Sequence, residues 1–464
     1  MNSTARQRAA SPRRRLPSLQ RQPLPPAPRI VAGLALLVAV GTLLLLLPIS
    51  GGSHTLAWNE ALFTAVSALT VTGLSTITVS RDLSWFGQVV LLLGIQIGGV
   101  GFMVLTVVIL RLLGRRIRLT ERLALSDSLG LLSPAAIVAL TRRVLTTVLL
   151  IEGLGALLLY LHWRGDPRLS EGQALFFALF HAVSAFCNAG FDLFTGTPGF
   201  ADGIPRDNLS LAIMGSLIFI GGLGIPVIAD LLTYYRERRL SLHTRITLLV
   251  VSFLVISGML GFWVAEIRPG GTLAGEHPFR ALLICLFQSV SARTAGFAGI
   301  ARFEELTAPS QLLMTVLMFI GCPPASMGGG ITTGTFAVMT ISLWSYARGL
   351  PTAQFGGRSL AVGTSRKAAA VLTIGLFVAS LASWLLAMTH RVPLELVVFE
   401  VVSAFATCGL SLGMTGELNL FGQLVICLVM FWGRLGALTI IVAIAGQPGR
   451  PQPLQYPEEQ ILIG

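Results

Sequence analysis

Four short runs place small or medium side chains ahead of a glycine: Val71-Thr72-Gly73, Asn188-Ala189-Gly190, Thr294-Ala295-Gly296 and Thr407-Cys408-Gly409. The chemistry they offer belongs to the backbone. Glycine takes positive φ without a Cβ penalty, which lets neighbouring carbonyls face one way. Carbonyls that converge can replace the hydration shell of a monovalent cation, and a helix ending just ahead adds its partially negative terminus. Enzymatic chemistry has no comparable support. His54, His162, His181, His243, His277 and His390 are dispersed, and no nucleophile sits beside a base. Cys187, Cys285, Cys322, Cys408 and Cys427 lie in apolar context without metal-type spacing and read as small buried side chains.

Each run follows the same tetrad, Phe-x-x-Val-Ser-Ala, starting at Phe63, Phe180, Phe287 and Phe399. From serine to glycine the spacing is six residues in three copies and five in the third. An apolar helix precedes each copy, over Ile30–Leu47, Val144–Leu161, Ile246–Val264 and Ala368–Met388. A second apolar helix follows, carrying "IQIGGVG" from Ile95, "IFIGGLG" from Ile218, "MFIGCPP" from Met318 or "MFWGRLG" from Met430. The segment bearing the tetrad is about a dozen residues, too short to span a bilayer. It is expected to enter and turn back, which irregular backbone does only where it lines a polar cavity or is buried in protein. One such glycine on its own reads first as a helix C-cap or a packing contact. Four behind one tetrad read as four loops meeting at a pseudo-fourfold axis.

The fold class is therefore all-α and polytopic: four helix–re-entrant loop–helix repeats, eight spanning helices, around one pore. The repeats cover 30–122, 141–240, 244–350 and 366–447, between a basic, disordered tail (1–29) and a C-terminal tail (448–464). Composition agrees: 53% of the 464 residues are hydrophobic and 12% charged, about half the charged share of a soluble domain. The net charge of +12 sits in clusters at Arg13–Arg15, Arg111 to Arg122, Arg142–Arg143, Arg236–Arg245 and Arg348–Lys367. "GGSHTLAWNE" and "DLFTGTPGFADG", at the other helix ends, have few basic residues. This is the positive-inside pattern; it places both termini in the cytoplasm and explains the charge without a nucleic-acid partner. The N-terminal tail resembles a signal peptide only loosely, so the first helix reads as uncleaved.

The loops "SALTVTGLST", "SAFCNAGFDL", "SVSARTAGF" and "FEVVSAFATCGLS", with "GIQIGGVGFM", "FIGGLGIPV" and "FWGRLGALTI", resemble the filter loops and following helices of the Trk/Ktr/HKT superfamily of potassium transporters. The resemblance runs from Ile30 to the tail "YPEEQILIG" and is nearest to Ktr-type membrane subunits. It implies that the four runs form a potassium filter, with potassium as substrate and sodium as a candidate activator. It implies a homodimer in the bacterial plasma membrane. It also implies an RCK-type cytoplasmic regulatory subunit of the KtrA/TrkA kind, which carries the nucleotide; this chain itself has no cofactor.

The third copy of the second signature differs. Its "GCPPASMGGGITT" replaces a helical Gly-Gly pattern with two prolines, which remove donors and disfavour helix, and three glycines. A loop between Gly321 and Thr335 is expected, whereas the other three second helices are expected to run through the signature. By resemblance this is an intramembrane gating loop: Gly321, Cys322, Pro323, Pro324, Ala325, Ser326, Gly328, Gly329, Gly330, Thr332 and Thr333. A static kink is the plainer reading. Thr332 stands where a lysine is common in Ktr members, so the closed loop is expected to be held differently here. Arg434 occupies the equivalent place in the fourth copy. It reads either as an inward-facing pore charge touching the loop, which the resemblance supports, or as half of a salt bridge with Glu400 or Glu152. Thr64, His181, Gln288 and Glu400 share one tetrad position and read as supports for the short helix. An ion-coupled transporter of a small solute is the alternative, although such carriers usually show two inverted halves.

Overall fold

The chain's computed structural model describes residues 26–101, 137–200, 203–324 and 326–436. The first unit holds α1 (Pro26–Leu45), α2 (Trp58–Thr70) and α3 (Trp85–Val100). The second holds α4 (Ile137–Trp163), α5 (Glu171–Phe186), α6 (Asn208–Leu223) and α7 (Ile225–Glu237). The third holds α8 (Leu242–Glu266), α9 (Pro278–Ser291), α10 (Ala308–Phe319) and α11 (Thr333–Ala347). The fourth holds α12 (Val362–Thr389), α13 (Leu394–Phe405) and α14 (Leu420–Leu435). The four apolar lead helices and the four short tetrad helices α2, α5, α9 and α13 thus form where the sequence places them. Gln354–Phe355 and Arg358–Ser359 pair as an antiparallel hairpin between the third and fourth units.

Polar residues start these helices at defined places. Ser170 accepts from the Gln173 N–H while the Gln173 side chain reaches back to the Ser170 N–H, a reciprocal cap of α5. Asp207 caps α6, Ser241 caps α8 and Asn419 caps α14, each satisfying a donor that the first turn leaves free.

Each tetrad helix packs on the lead helix of its own unit and on the second helix of the unit before it. The latter pairs are α5 with α3, α9 with α6, α13 with α10 and α2 with α14. The last pair returns to the first unit, so the order closes. Phe63, Phe180 and Phe399, which open three of the tetrads, are fully buried. Leu149 and Leu154 of α4, Phe253 of α8 and Phe377 of α12 face outward, as suits an apolar surrounding. Three described helices are long and apolar enough to cross a membrane: Leu145–Trp163, Leu242–Glu266 and Gly363–Thr389. The pair α6 and α7, bent by 97°, makes a fourth if it is one span.

The second helices correct one expectation. α3, α6 and α14 do not run through the signature; they stop at Gly101, Gly224 and Gly436, whose φ angles are +90°, +87° and +77°. The last glycine of each of these signatures therefore ends its helix, because helix propagation needs negative φ. In the second unit a helix resumes at once, with Pro226 in its first turn where the missing donor costs little. Compared with the second unit, the third differs in the length of its break, not in having one: α10 ends at Phe319 and α11 begins at Thr333. The expected loop is thus shorter at its far end. Thr332 caps α11, accepting from the Thr335 N–H at 3.3 Å, and Thr333 is helical. Ala325, the parts of the repeats at 102–122 and 437–447, the 448–464 tail and most of the 1–29 tail lie outside the described residues, as do Arg13–Arg15 and Arg111 to Arg122.

Candidate functional site

The four glycines form a closed ring. A Cβ on Gly73 would collide with the carbonyl of Ala189, and one on Gly190 would lie 2.8 Å from the carbonyl of Ala295. One on Gly296 would strike the carbonyl of Cys408, and one on Gly409 that of Thr72. Each glycine therefore meets the residue ahead of the next glycine, in the order one, two, three, four, one. Their φ angles, +93°, +67°, +77° and +93°, are those that only glycine takes cheaply.

Two residues earlier, each loop carries a second positive φ, on a residue that is not glycine: Val71 (+57°), Asn188 (+57°), Thr294 (+130°) and Thr407 (+51°). Alternation of positive and negative φ over three residues turns successive carbonyls to one side. For β-branched Val71, Thr294 and Thr407 this conformation is strained, of order 1–3 kcal/mol each, and must be imposed by surroundings. The tetrad serines impose it. Thr72, Ala189, Ala295 and Cys408 each donate their N–H to the backbone carbonyl of the tetrad serine, at 2.7–2.8 Å. In three units this is the 6→1 bond of a Schellman cap with its left-handed residue; in the third it is one residue shorter, which accounts for the five-residue spacing.

The serine side chains complete the lock. Ser67 accepts from the Gly73 N–H (3.0 Å) and Ser403 from the Gly409 N–H (3.1 Å). Ser184 donates to the Phe191 carbonyl (3.0 Å). Ser291 donates to the Phe297 carbonyl (2.7 Å) and accepts from its N–H (2.9 Å). Removing one such hydroxyl by Ser403→Ala leaves the Gly409 N–H without its partner and is expected to cost about 1–3 kcal/mol. The measurement is the apparent unfolding temperature in detergent, which should fall; no change would show that the hydroxyl does not hold the loop.

The second tetrad position supports the far side of each loop. His181 Nε2 lies 2.9 Å from Asp192 Oδ1, Gln288 Oε1 accepts from the Gly299 N–H at 2.9 Å, and Glu400 accepts from Ser411 Oγ at 2.7 Å and from Thr415. These tie the helix to residues just after the glycine, as a support role requires. Thr64, too short to reach, keeps a buried hydroxyl with no partner.

One layer away, the first glycine of each intact second signature seats the helix on a tetrad helix of the same unit. A Cβ at Gly98, Gly221 or Gly433 would collide with the carbonyl of Leu69, Phe186 or Phe405. In the third unit that space is filled differently. Gly328 and Gly329 pack against two of the glycine loops: a Cβ on Gly328 would strike Thr294 Oγ1, and one on Gly329 would sit 2.5 Å from Thr407 Oγ1. Cys322 Sγ lies 3.0 Å from Thr294 Oγ1. The Asn188 amide, with its nitrogen facing the carbonyls of Ala185, Phe186 and Ile218 (3.2–3.3 Å), accepts from Thr294 Oγ1 at 3.1 Å. Pro324 packs against the start of α11, 3.0 Å from where a Cβ on Gly334 would be.

Arg434 reaches this segment. Its guanidinium donates to the carbonyls of Met327 and Gly98 and, at 3.3 Å, to that of Gly99. No carboxylate pairs with it among the described residues. Glu400 is engaged as above, and Glu152 accepts from Gln96 Nε2 at 3.0 Å. The salt-bridge reading of Arg434 is therefore not what the structure holds. A second buried arginine escaped the sequence reading: Arg293, 5% exposed, whose Nη2 donates to the Gly321 carbonyl at 3.1 Å. Its signal was available, a lone arginine inside "SARTAGF" next to the third glycine run.

The family described as TrkH, cation transport protein, matches residues 34–449. The chain belongs to this family. Ktr system potassium uptake protein B of Vibrio alginolyticus is 35% identical over 91% of this chain and 91% of its own length. The Bacillus subtilis protein of that name is 36% identical over 94% and 96%. The potassium/sodium uptake protein NtpJ of Enterococcus hirae is 33% identical over 96% and 98%. The crystal structure of the potassium transporter TrkH from Vibrio parahaemolyticus superimposes with a TM-score of 0.70 at 19% identity, covering 94% of this chain and 87% of that one. The helical architecture described above is thus the TrkH fold, and the likeness at that identity concerns the fold.

Proposed function

We propose that this chain is the ion-translocating subunit of a bacterial potassium uptake system. The observation that carries the proposal is the ring of four positive-φ glycines, closed through the carbonyls of Thr72, Ala189, Ala295 and Cys408. Four loops that hold backbone carbonyls around one axis, with serine locks that fix them, can take over the hydration shell of a potassium ion. The four units then supply eight membrane crossings around one pore, the second crossing of each unit being broken at its signature glycine. The loops approach from outside and both termini lie in the cytoplasm of the plasma membrane.

Residues 320–332 act as the gate. Gly328 and Gly329 of the segment lie against the Thr294 and Thr407 side chains, and Arg434 holds its Met327 carbonyl. Arg434 also adds a fixed positive charge beside the path, which limits how many cations reside there. The names of the Vibrio alginolyticus and Bacillus subtilis relatives refer to a Ktr system, which supports an assembly of this chain, as a homodimer, with an RCK-type subunit that senses nucleotide. The small-solute alternative has no counterpart in the closed fourfold ring.

The test is rescue of a potassium-uptake-deficient bacterium on low-potassium medium, with rubidium influx measured. Growth with rubidium influx that potassium competes away is the expected result. Absence of both, with the chain in the membrane and a compatible regulatory subunit present, would sink the proposal.

A further inference from the structure

The gate segment is not attached evenly. Its beginning is fastened to the third glycine loop by contacts running in both directions. Arg293 Nη2 donates to the Gly321 carbonyl at 3.1 Å, and Cys322 Sγ lies 3.1 Å from the Arg293 carbonyl and 3.0 Å from Thr294 Oγ1. The Thr333 N–H donates to the Cys322 carbonyl at 3.1 Å, closing the base of the loop onto that same point. Gly321 sits at φ +34°, and a Cβ there would lie 2.5 Å from the Gly329 carbonyl and 2.9 Å from that of Ile331. The outgoing and returning strands therefore stack directly at the fastened end.

The other side of the loop is hydrogen-bonded at one residue among those described. Met327 makes a long 3.4 Å bond from its N–H to the Gly221 carbonyl and accepts from Arg434. Gly328 and Gly329 touch Thr294 and Thr407 by packing alone. Arg293 itself is buried, its Nε has no partner, and no carboxylate pairs with it among the described residues. A guanidinium kept in such a place at the cost of desolvation calls for a role. Its position in the third loop, one residue before the strained Thr294, means that any movement of Gly321 pulls on the filter backbone.

We propose that Arg293 is a positioning residue that clamps the gate's fixed hinge to the third filter loop, so that ion selectivity and gate closure are coupled through it. The proposal rests on the filter and gate assigned above. Arg434 by contrast donates to Met327 on the swinging side and, among the described residues, makes no hydrogen bond to the third loop's run. Loss of the clamp should disturb both properties together, whereas loss of the swinging-side latch should disturb closure.

The experiment uses the full chain in the potassium-uptake-deficient bacterium, without any regulatory subunit, comparing wild type, Arg293→Met, Arg293→Lys and Cys322→Ala. Rubidium influx and its competition by potassium and sodium are read. Arg293→Met removes one charge-assisted hydrogen bond. It should raise unregulated influx about tenfold and lower the potassium-over-sodium preference by a similar factor. Arg293→Lys, which keeps a donor, should recover part of both. Cys322→Ala, which opens the clamp from the gate side, should shift both in the same direction; it decides the matter should Arg293→Met not reach the membrane. A change in only one of the two readouts, or in neither, overturns the clamp. Wild-type transport with inert clamp variants would leave the function intact and refute this inference alone, whereas a wild type that stays silent even with a compatible regulatory subunit present would refute the function.

Discussion

Gly296→Ser is expected to abolish the preference of this transporter for potassium over sodium. The new Cβ would enter the space of the Cys408 carbonyl, and φ at this residue is +77°, so the change strains the backbone as well as crowding it. The collision partner belongs to the adjacent loop, so the displaced group is itself a carbonyl of the proposed filter. Because the Cys408 loop in turn meets Thr72 through Gly409, the displacement should propagate around the ring. Potassium preference depends on how many carbonyls coordinate and how firmly they are held. Competition of rubidium influx by the two ions should approach parity, with influx itself partly retained. A preserved preference would remove the third loop from the filter.

The second large effect is expected from Arg434→Met. Methionine fills similar space but donates nothing, so the carbonyls of Met327, Gly98 and Gly99 lose their shared partner. Hydrogen bonds to a charged donor are the strong ones, about 1.5–3 kcal/mol each in net terms. Even one at the lower end shifts a closed–open equilibrium by a factor of about ten. Rubidium influx without a regulatory subunit should therefore rise at least about tenfold. Loss of the fixed charge should also raise cation occupancy, seen as a lower half-saturating concentration. Influx that remains at the wild-type level would show that this arginine does not latch the loop.

The candidate site was legible in part because its chemistry is local. A left-handed residue that must be glycine, a serine five or six positions back and a phenylalanine on the buried face of a short helix are each fixed by backbone geometry within one turn or two. Four copies made that geometry visible. The tetrad's second position could likewise be read as a support because Thr64, His181, Gln288 and Glu400 differ in chemistry while sharing a place. By contrast, the positive φ of Val71, Thr294 and Thr407 was hidden, since nothing in a β-branched residue announces that conformation. It exists only because the serine bonds and neighbouring loops impose it.

The second helices show the same division. Pro323 and Pro324 made the break in the third unit conspicuous, yet Gly101, Gly224 and Gly436 end their helices as surely. A glycine in an apolar run is compatible with helix and with its end, and packing decides between them. Gly98, Gly221 and Gly433 each seat their helix on a carbonyl of its own tetrad helix, one turn ahead of the glycine that ends it.

From the sequence alone came the membrane setting, the fourfold repeat, the four glycines that matter and the one segment where the repeat departs from itself. Those follow from composition and from short-range backbone demands, which residue type records directly. Tertiary structure decided the order in which the loops close the ring, the carbonyl partners of Arg434 and the buried clamp of Arg293 on Gly321. Each of these joins residues from separate helices or separate units, and the burial that gives such contacts their strength is a property of the assembled ring, which no single stretch of the chain carries.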